Sequence, residues 1–298
     1  MTFLKLDRIV RATGDAAKFR LVLVDDTRAA NSIAARHEAG GYAAQLLGQA
    51  TAAALLLASG LKGPGTAQLR FSLSGDLSRV AADATPFGLV RAMIPREEIL
   101  ATGSFEPMVL PQTLKVIKLD KEGSRVSEGI VEMVTADISE SVTHYLLQSE
   151  QGKFLLRVAA LYDETEGKLR YAGGVLIEAF PEAKEADWAA LLALVTGIDF
   201  SGHARTATEG LDLDSLYALF ALYSPQVHKE FEIEPFCPCS EEGVLRALSS
   251  LGREGLESLL LEGRDAELHC EFCRKMYAVS PEKLLKMLNE AEDEENEK

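Results

Sequence analysis

Two cysteine pairs, Cys237-Pro238-Cys239 and Cys270-Glu271-Phe272-Cys273, lie in the last quarter of this chain, and the 236 residues before them contain none. Thirty residues separate Cys239 from Cys270. Four thiolates in this pattern can close a tetrahedral metal site that has no open position. The same sulfurs can also be oxidised to disulfides. A terminal segment of roughly 55 residues is near the size limit for folding on an apolar core alone. A structural zinc contributes on the order of 10 kcal/mol to such a fold. The spacing therefore predicts a small module over 230–288, held by one zinc ion per chain on Cys237, Cys239, Cys270 and Cys273, that unfolds when the metal is removed. His269 adjoins Cys270 but is a bystander, because four sulfurs already fill the shell.

A metal keeps these thiols deprotonated, and the thiolate is the nucleophile. Oxidant attack on one sulfur gives a sulfenic acid that a neighbouring thiol closes into a disulfide. Cys270 and Cys273 are spaced to do this easily; Cys237 and Cys239 can do it in a tighter ring restricted by Pro238. On residues alone a second reading stays open: a static zinc ribbon serving interaction or nucleic-acid binding, with no redox role.

Charge weighs against one branch of that alternative. The formal net charge is −15 and the pI about 4.9. Residues 230–298 carry 8 Lys and Arg against 18 Asp and Glu, so two thirds of the excess lies around the cysteines. A field of this sign repels phosphate backbones and anionic membranes, and neither nucleic acid nor membrane is expected as a partner. The first residues lack a basic stretch followed by an apolar core, and the longest apolar run, 50–61, falls short of the roughly 20 residues that span a bilayer. The expected compartment is the cytoplasm, where paired cysteines act as metal ligands or redox-active thiols.

The rest of the chain divides by texture. Residues 1–181 alternate strand and helix signals without the regular alternation of a doubly wound sheet, so the fold class is α+β, a mixed sheet domain with helices. The run from Phe19 to Val24 has strand character; the Ala/Leu-rich stretch from Tyr42 to Leu61 reads as a buried helix. Leu69, Phe71 and Leu73 alternate with polar residues before a Ser74-Gly75-Asp76 turn. A strand pair is expected around Glu122-Gly123-Ser124, a helix from Ile138 with Asp137 or Ser139 as its cap, and strands near 153–162 and 169–180. A helical linker follows over 182–229. Trp188, Leu191, Leu192 and Val195 form one apolar stripe, and Leu213, Leu216, Tyr217 and Phe220 another; a polar, breaker-rich segment separates them. Such stripes ordinarily pack on a neighbouring domain, but a connector this apolar can also detach and offer its faces to another chain. Within 230–288 a helical stretch over 240–261 joins the cysteine pairs, a last helix runs from Pro281 to Leu288, and 289–298 is an acidic tail.

No catalytic constellation emerges. Gly60-x-x-Gly63-x-Gly65 lacks the Lys-Ser/Thr of a phosphate loop, so no nucleotide is expected. His37, His144, His203 and His228 are scattered, and there is no Gly-x-Ser-x-Gly elbow. A four-sulfur site leaves no position for a reactive water, which weighs against a third reading, a zinc hydrolase. The chain is expected not to be an enzyme.

At the cysteines the chain resembles the redox-regulated 33 kDa heat-shock chaperone (33 kDa chaperonin) family, whose hallmark is Cys-x-Cys, a spacer of similar length, then Cys-x-x-Cys. The likeness extends to Leu56-Leu57-Ala58-Ser59-Gly60-Leu61-Lys62-Gly63, Val80-Ala81-Ala82-Asp83-Ala84, Gly88-Leu89-Val90-Arg91, Gly129-Ile130-Val131-Glu132, Tyr145-Leu146-Leu147-Gln148-Ser149-Glu150-Gln151 and Ala172-Gly173-Gly174-Val175-Leu176-Ile177. It departs at Ala92, where Gly is more usual, and at Gly152-Lys153-Phe154-Leu155. The resemblance implies a holdase that works without ATP. Reduced, it would be a zinc-bound, largely inactive monomer. Oxidant with mild unfolding stress would form Cys237–Cys239 and Cys270–Cys273 disulfides, release zinc, unfold the module, loosen the linker and favour a homodimer. That form would bind unfolding client proteins and pass them to ATP-dependent chaperone machinery. Its client surface is expected on the two linker stripes.

Overall fold

The structure, a computed structural model, describes residues 7–72, 79–95, 112–133, 135, 137–200 and 213–296. The Ser74-Gly75-Asp76 turn and most of the polar segment between the linker stripes lie outside the described residues. The chain forms two compact units, Met1–Phe236 and Cys237–Lys298.

In the first unit, β1 (Arg8–Gly14) and β2 (Phe19–Asp25) form an antiparallel hairpin. The apolar run in β2 has no polar face because its sheet is covered on both sides. Val22 and Val24 point into one core cluster, Phe19, Leu21 and Leu23 into another. Helices α1 (Thr27–Arg36) and α2 (Gly41–Ala58) follow. Helix α2 is apolar and buried over most of its circumference, with Gln45 and Gln49 half-buried on one face of its first half, as suits a helix enclosed between two sheets. Its length and hydropathy would suit a membrane span, but 78% of it is already inside the fold. Gly48 marks its closest approach to a sheet: an added Cβ would sit 2.9 Å from Ala160 Cβ and 3.2 Å from Ala172 Cβ.

On one side of α2 lies a six-stranded sheet built from β3 (Gly65–Ser72), β4 (Arg79–Ala84), β5 (Leu89–Met93), β6 (Gln112–Asp120) and β7 (Arg125–Met133), with the short β11 (Glu234–Pro235) at its edge. The β6–β7 hairpin turns at Gly123, whose φ of 85° is the left-handed backbone that glycine tolerates. Helix α3 (Ile138–Ser149) begins at Asp137, whose carboxylate accepts hydrogen bonds from the Ser139 and Glu140 amides, so Asp137 is the cap. On the other side of α2, β8 (Lys153–Asp163) and β9 (Lys168–Ala179) join β1 and β2, and β10 (Gln226–Glu232) closes the edge, in the order β10-β1-β2-β9-β8. This mixture of antiparallel sheets and helices is the α+β class expected.

The outer face of that five-stranded sheet is covered by the linker. Helix α4 (Glu185–Thr196) buries Trp188, Leu191 and Val195 against it, with Leu192 half-buried. Helix α5 (Leu213–Ala218) buries Leu213 and Leu216; Tyr217 is half-buried and donates its hydroxyl to the Pro225 carbonyl, and Phe220, just beyond the helix, is fully buried. Each such apolar side chain stabilises the docked linker by about 1.5–3 kcal/mol relative to exposure. Arg157 on β8 adds a polar tie, donating from Nη1 to the carbonyls of Val195, Thr196 and Ile198 and lying 5.3 Å from the Phe200 ring. It thereby adds a charged donor to carbonyls at the end of α4, where intrahelical acceptance runs out.

The second unit contains α6 (Glu241–Ser249), α7 (Gly252–Leu261), the hairpin β12 (Ala266–His269) and β13 (Met276–Val279), and α8 (Pro281–Asn296). The helical stretch between the cysteine pairs is two helices, separated where Gly252 adopts φ 69°. Helix α8 continues past Leu288 to Asn296, because the Glu-rich sequence contains no helix breaker. Residues 230–236, grouped with the cysteines on sequence grounds, lie in the first unit as β10 and β11. Their backbones pair with β1 and β5, and those ladders assign them there.

Candidate metal centre

Each cysteine pair is placed by a different local device. Cys237 and Cys239 precede α6, whose start is set by Ser240: its hydroxyl accepts from the Gly243 amide. Cys270 and Cys273 occupy the turn of the β12–β13 hairpin. There the Arg274 amide donates to the Cys270 carbonyl and the Cys270 amide to the Lys275 carbonyl, with Arg274 at φ 61°. The turn curls both sulfurs to the same side. The module is further tied by an ion pair between Lys283 on α8 and Glu241 on α6.

The four sulfurs lie within 4.8 Å of one another, the one such donor cluster of three or more among the described residues. Cys237 and Cys270 Sγ are 3.6 Å apart, Cys239 and Cys273 Sγ 3.3 Å. A tetrahedral zinc site with bonds of about 2.3 Å places its sulfurs roughly 3.8 Å apart. The donor set therefore has the composition and spacing of a closed four-thiolate site, and no disulfide joins its members. His269 is not part of this cluster.

The electrostatics lead to the same conclusion. Partial burial works against ionising Cys239, but hydrogen bonds from the Tyr277 hydroxyl and the neighbouring thiols outweigh it and bring its thiol down to about 7. At Cys273 burial, with the adjoining Cys239 and Cys270 sulfurs, pushes the thiol up to about 12. The cluster accommodates one negative charge and resists the next, as like charges at this separation must. Four thiolates need a cation among them. Tyr277, on β13, is the residue of this site that cysteine spacing does not disclose; its only sequence signal is an aromatic four residues after Cys273.

The core beneath the sulfurs is small: Leu248, Leu256, Val279, Leu284 and Leu288 are its buried members. Five aliphatic side chains are few for a unit of this length, so the sulfur cluster is the natural second source of stability.

The linker stripes do not join this centre. Among their members, Trp188, Leu191, Val195, Leu213, Leu216 and Phe220 belong to the apolar cluster on the outer face of the five-stranded sheet, with Leu192 and Tyr217 packed against it.

A protein-family model described as Hsp33 protein matches residues 7–280. The 33 kDa chaperonin of Microcystis aeruginosa is 29% identical over 301 residues, covering 97% of this chain and 99% of its own. The 33 kDa chaperonin of Trichodesmium erythraeum is 31% identical over 301 residues, covering 98% and 96%. Among solved structures, the 33 kDa chaperonin (heat shock protein 33 homolog) of Thermotoga maritima superposes with a TM-score of 0.80 at 22% identity, over 97% of this chain and all of that one.

Proposed function

The chain belongs to the Hsp33 protein family, and from that premise we propose that it is a redox-regulated, ATP-independent holdase of the cytoplasm that binds unfolding proteins under oxidative stress. The observation that carries this reading is the convergence of four cysteine sulfurs within 4.8 Å in a unit whose apolar core has five buried members among the described residues. Bound zinc, held by Cys237, Cys239, Cys270 and Cys273, supplies the charge balance that keeps four sulfurs ionised and the module compact.

Oxidation acts on the sulfurs. In each pair one thiolate attacks peroxide to give a sulfenic acid and water, and the second thiol displaces a further water to close the disulfide. Two peroxides thus convert four thiolates and four protons into Cys237–Cys239 and Cys270–Cys273 disulfides and four waters. The donor set is lost, and with it the metal. Disulfides closing such short loops constrain the unfolded chain little, so they do not hold the module folded. Cys237 directly follows the strands that end the linker, and loss of order there loosens the linker in turn. The stripes Trp188, Leu191, Leu192, Val195 and Leu213, Leu216, Tyr217, Phe220, together with the sheet face they cover, then offer apolar surface to unfolding clients. The exposed face also favours a homodimer. Clients pass afterwards to ATP-dependent chaperones.

The test treats the full chain with peroxide at raised temperature, and follows metal release with a chromophoric chelator and client aggregation by light scattering. One zinc per chain should be released as aggregation becomes suppressed. Aggregation proceeding at the same rate with oxidised and reduced protein overturns the reading.

A further inference from the structure

Strand β10 is the one strand of the five-stranded sheet with no buried side chain; only Phe231 is half-buried. It nevertheless occupies the whole edge of β1, paired antiparallel from Arg8↔Glu232 to Thr13↔Gln226, with a bulge at Arg11 and Ala12. Apart from that backbone ladder, its side-chain ties are exposed polar contacts and the half-buried Phe231, which meets the Phe87 ring edge-on at 5.6 Å. Arg8 pairs with Glu230 at 3.5 Å, Thr13 Oγ1 lies 2.6 Å from His228 Nε2, and Arg11 stands over the Phe231 ring at 5.0 Å. Exposed ion pairs hold weakly and are screened by salt. Immediately beyond β10 the attachment changes character. Ile233 is buried in the main core, its amide donates to the Asp7 carbonyl, and the Glu234 and Phe236 amides donate to Gly88 and Val90 on the other sheet. The chain is thus firmly anchored at Ile233 and lightly attached before it.

Register adds a second observation. Residues paired across an antiparallel ladder share a face. Val10 belongs to the apolar outer face that the linker stripes cover, yet its partner on β10 is the charged Glu230. At that position the strand native to this edge interrupts the apolar face it extends, although Val227 faces Ala12 and Phe231 faces Ile9 elsewhere along the ladder.

We propose that β10 is a placeholder: in the activated chain it peels from β1 as far as Ile233, and the freed edge of β1 receives an extended segment of the unfolding client as an added strand. This rests on the holdase reading above and assigns it a binding mode. Strand addition takes its affinity from main-chain hydrogen bonds, which every extended polypeptide can supply, and its preference from alternate side-chain positions. A client segment with an apolar residue opposite Val10 would continue the outer face where Glu230 interrupts it. A row of unpaired N–H and C=O groups is also the surface that a folded protein must keep capped, which accounts for a strand of this composition lying there in the reduced state.

Hydrogen exchange of the full chain, read on peptides covering 8–14, tests the inference in three states. Reduced protein should protect β1, oxidised protein should exchange it at least about tenfold faster, and oxidised protein holding a denatured client should protect it again. The substitution Glu230→Val should seat β10 more firmly by giving Val10 an apolar partner, leaving zinc release unchanged and weakening client holding by roughly two- to fivefold. Protection of β1 in the oxidised wild type, exposure of β1 while light scattering shows the client held, or equal holding by Glu230→Val each overturn the proposal. Failure of oxidised wild type to suppress aggregation at all would instead bring down the holdase reading, and the strand-addition mode with it.

Discussion

The Tyr277 hydroxyl donates a hydrogen bond to Cys239 Sγ at 3.1 Å. It reaches across from the hairpin that carries the second cysteine pair to a sulfur of the first. Donors in this position orient a metal ligand and moderate its charge, and their loss typically lowers metal affinity 10- to 100-fold. Tyr277→Phe keeps the ring in the module and removes only this bond. Its zinc affinity, measured by competition with a chromophoric chelator, should fall by about tenfold. Unchanged affinity would show that the bond does not support the site.

Replacing any one of Cys237, Cys239, Cys270 or Cys273 by serine should unfold the second unit, since five buried aliphatic residues cannot offset the loss of about 10 kcal/mol of metal stabilisation. Heteronuclear spectra should show residues 237–288 collapsing to disordered shifts while the first unit keeps its dispersion. A mutant module that stays folded without metal would refute the metal dependence.

Arg157 holds the end of α4 by three carbonyl contacts. Hydrogen bonds to a charged group contribute about 1.5–3 kcal/mol, and Arg157→Ala should weaken linker docking by about 2 kcal/mol. Limited proteolysis should then cut within 182–223 faster in the reduced, zinc-bound protein. Cleavage at the wild-type rate would show that the apolar stripes alone hold the linker.

Acidity should stabilise the first unit over a defined window. Burial raises the Asp7 carboxyl to about 6, against the pull of hydrogen bonds from the Ala29 and Arg28 amides. The folded chain therefore binds this proton more tightly than the unfolded chain, whose carboxyls titrate near 4. The resulting stabilisation is complete below about pH 4 and is lost as pH rises through about 6, a change on the order of 2–3 kcal/mol. Asp26 acts in the same direction: it is fully buried, its carboxyl is raised by that burial, and neither of its oxygens has a well-formed hydrogen bond, the Thr51 hydroxyl beside it donating to the Gly48 carbonyl. Thermal midpoints of the full chain should be a few degrees higher at about pH 5.5 than at about pH 7.5. Asp7→Asn, which removes the titrating group and keeps an acceptor for one of the two amides, should shrink that difference. An equal difference in wild type and mutant would show that Asp7 is not its source.

Much of this molecule is legible in linear order because its signals are local. Asp137 caps a helix from the adjoining position, Gly123 turns a hairpin, and Cys-x-Cys with Cys-x-x-Cys defines a four-sulfur donor set before any coordinates are known. The stripe from Trp188 to Val195 is visible as helical spacing, but spacing cannot say which surface it meets. The wholly apolar β2 run is likewise ambiguous until both its faces are seen to be covered. Arg157 and Asp7 gave no signal, and Tyr277 only that of an aromatic close after Cys273, because each acts on residues far away in the chain through contacts that only folding creates.

What the sequence determined alone is therefore the chemistry: four thiols able to bind one metal or to pair with each other, a short module with few apolar residues around them, and an apolar connector before it. What the tertiary structure decided is the arrangement: which sheet face the connector covers, that residues 226–236 belong to the first unit's sheets, and that a strand with no buried side chain caps β1. The division has a physical cause. Ligand identity and helical periodicity reside in covalent neighbours, whereas burial and strand pairing depend on segments that meet only after the chain has closed long loops.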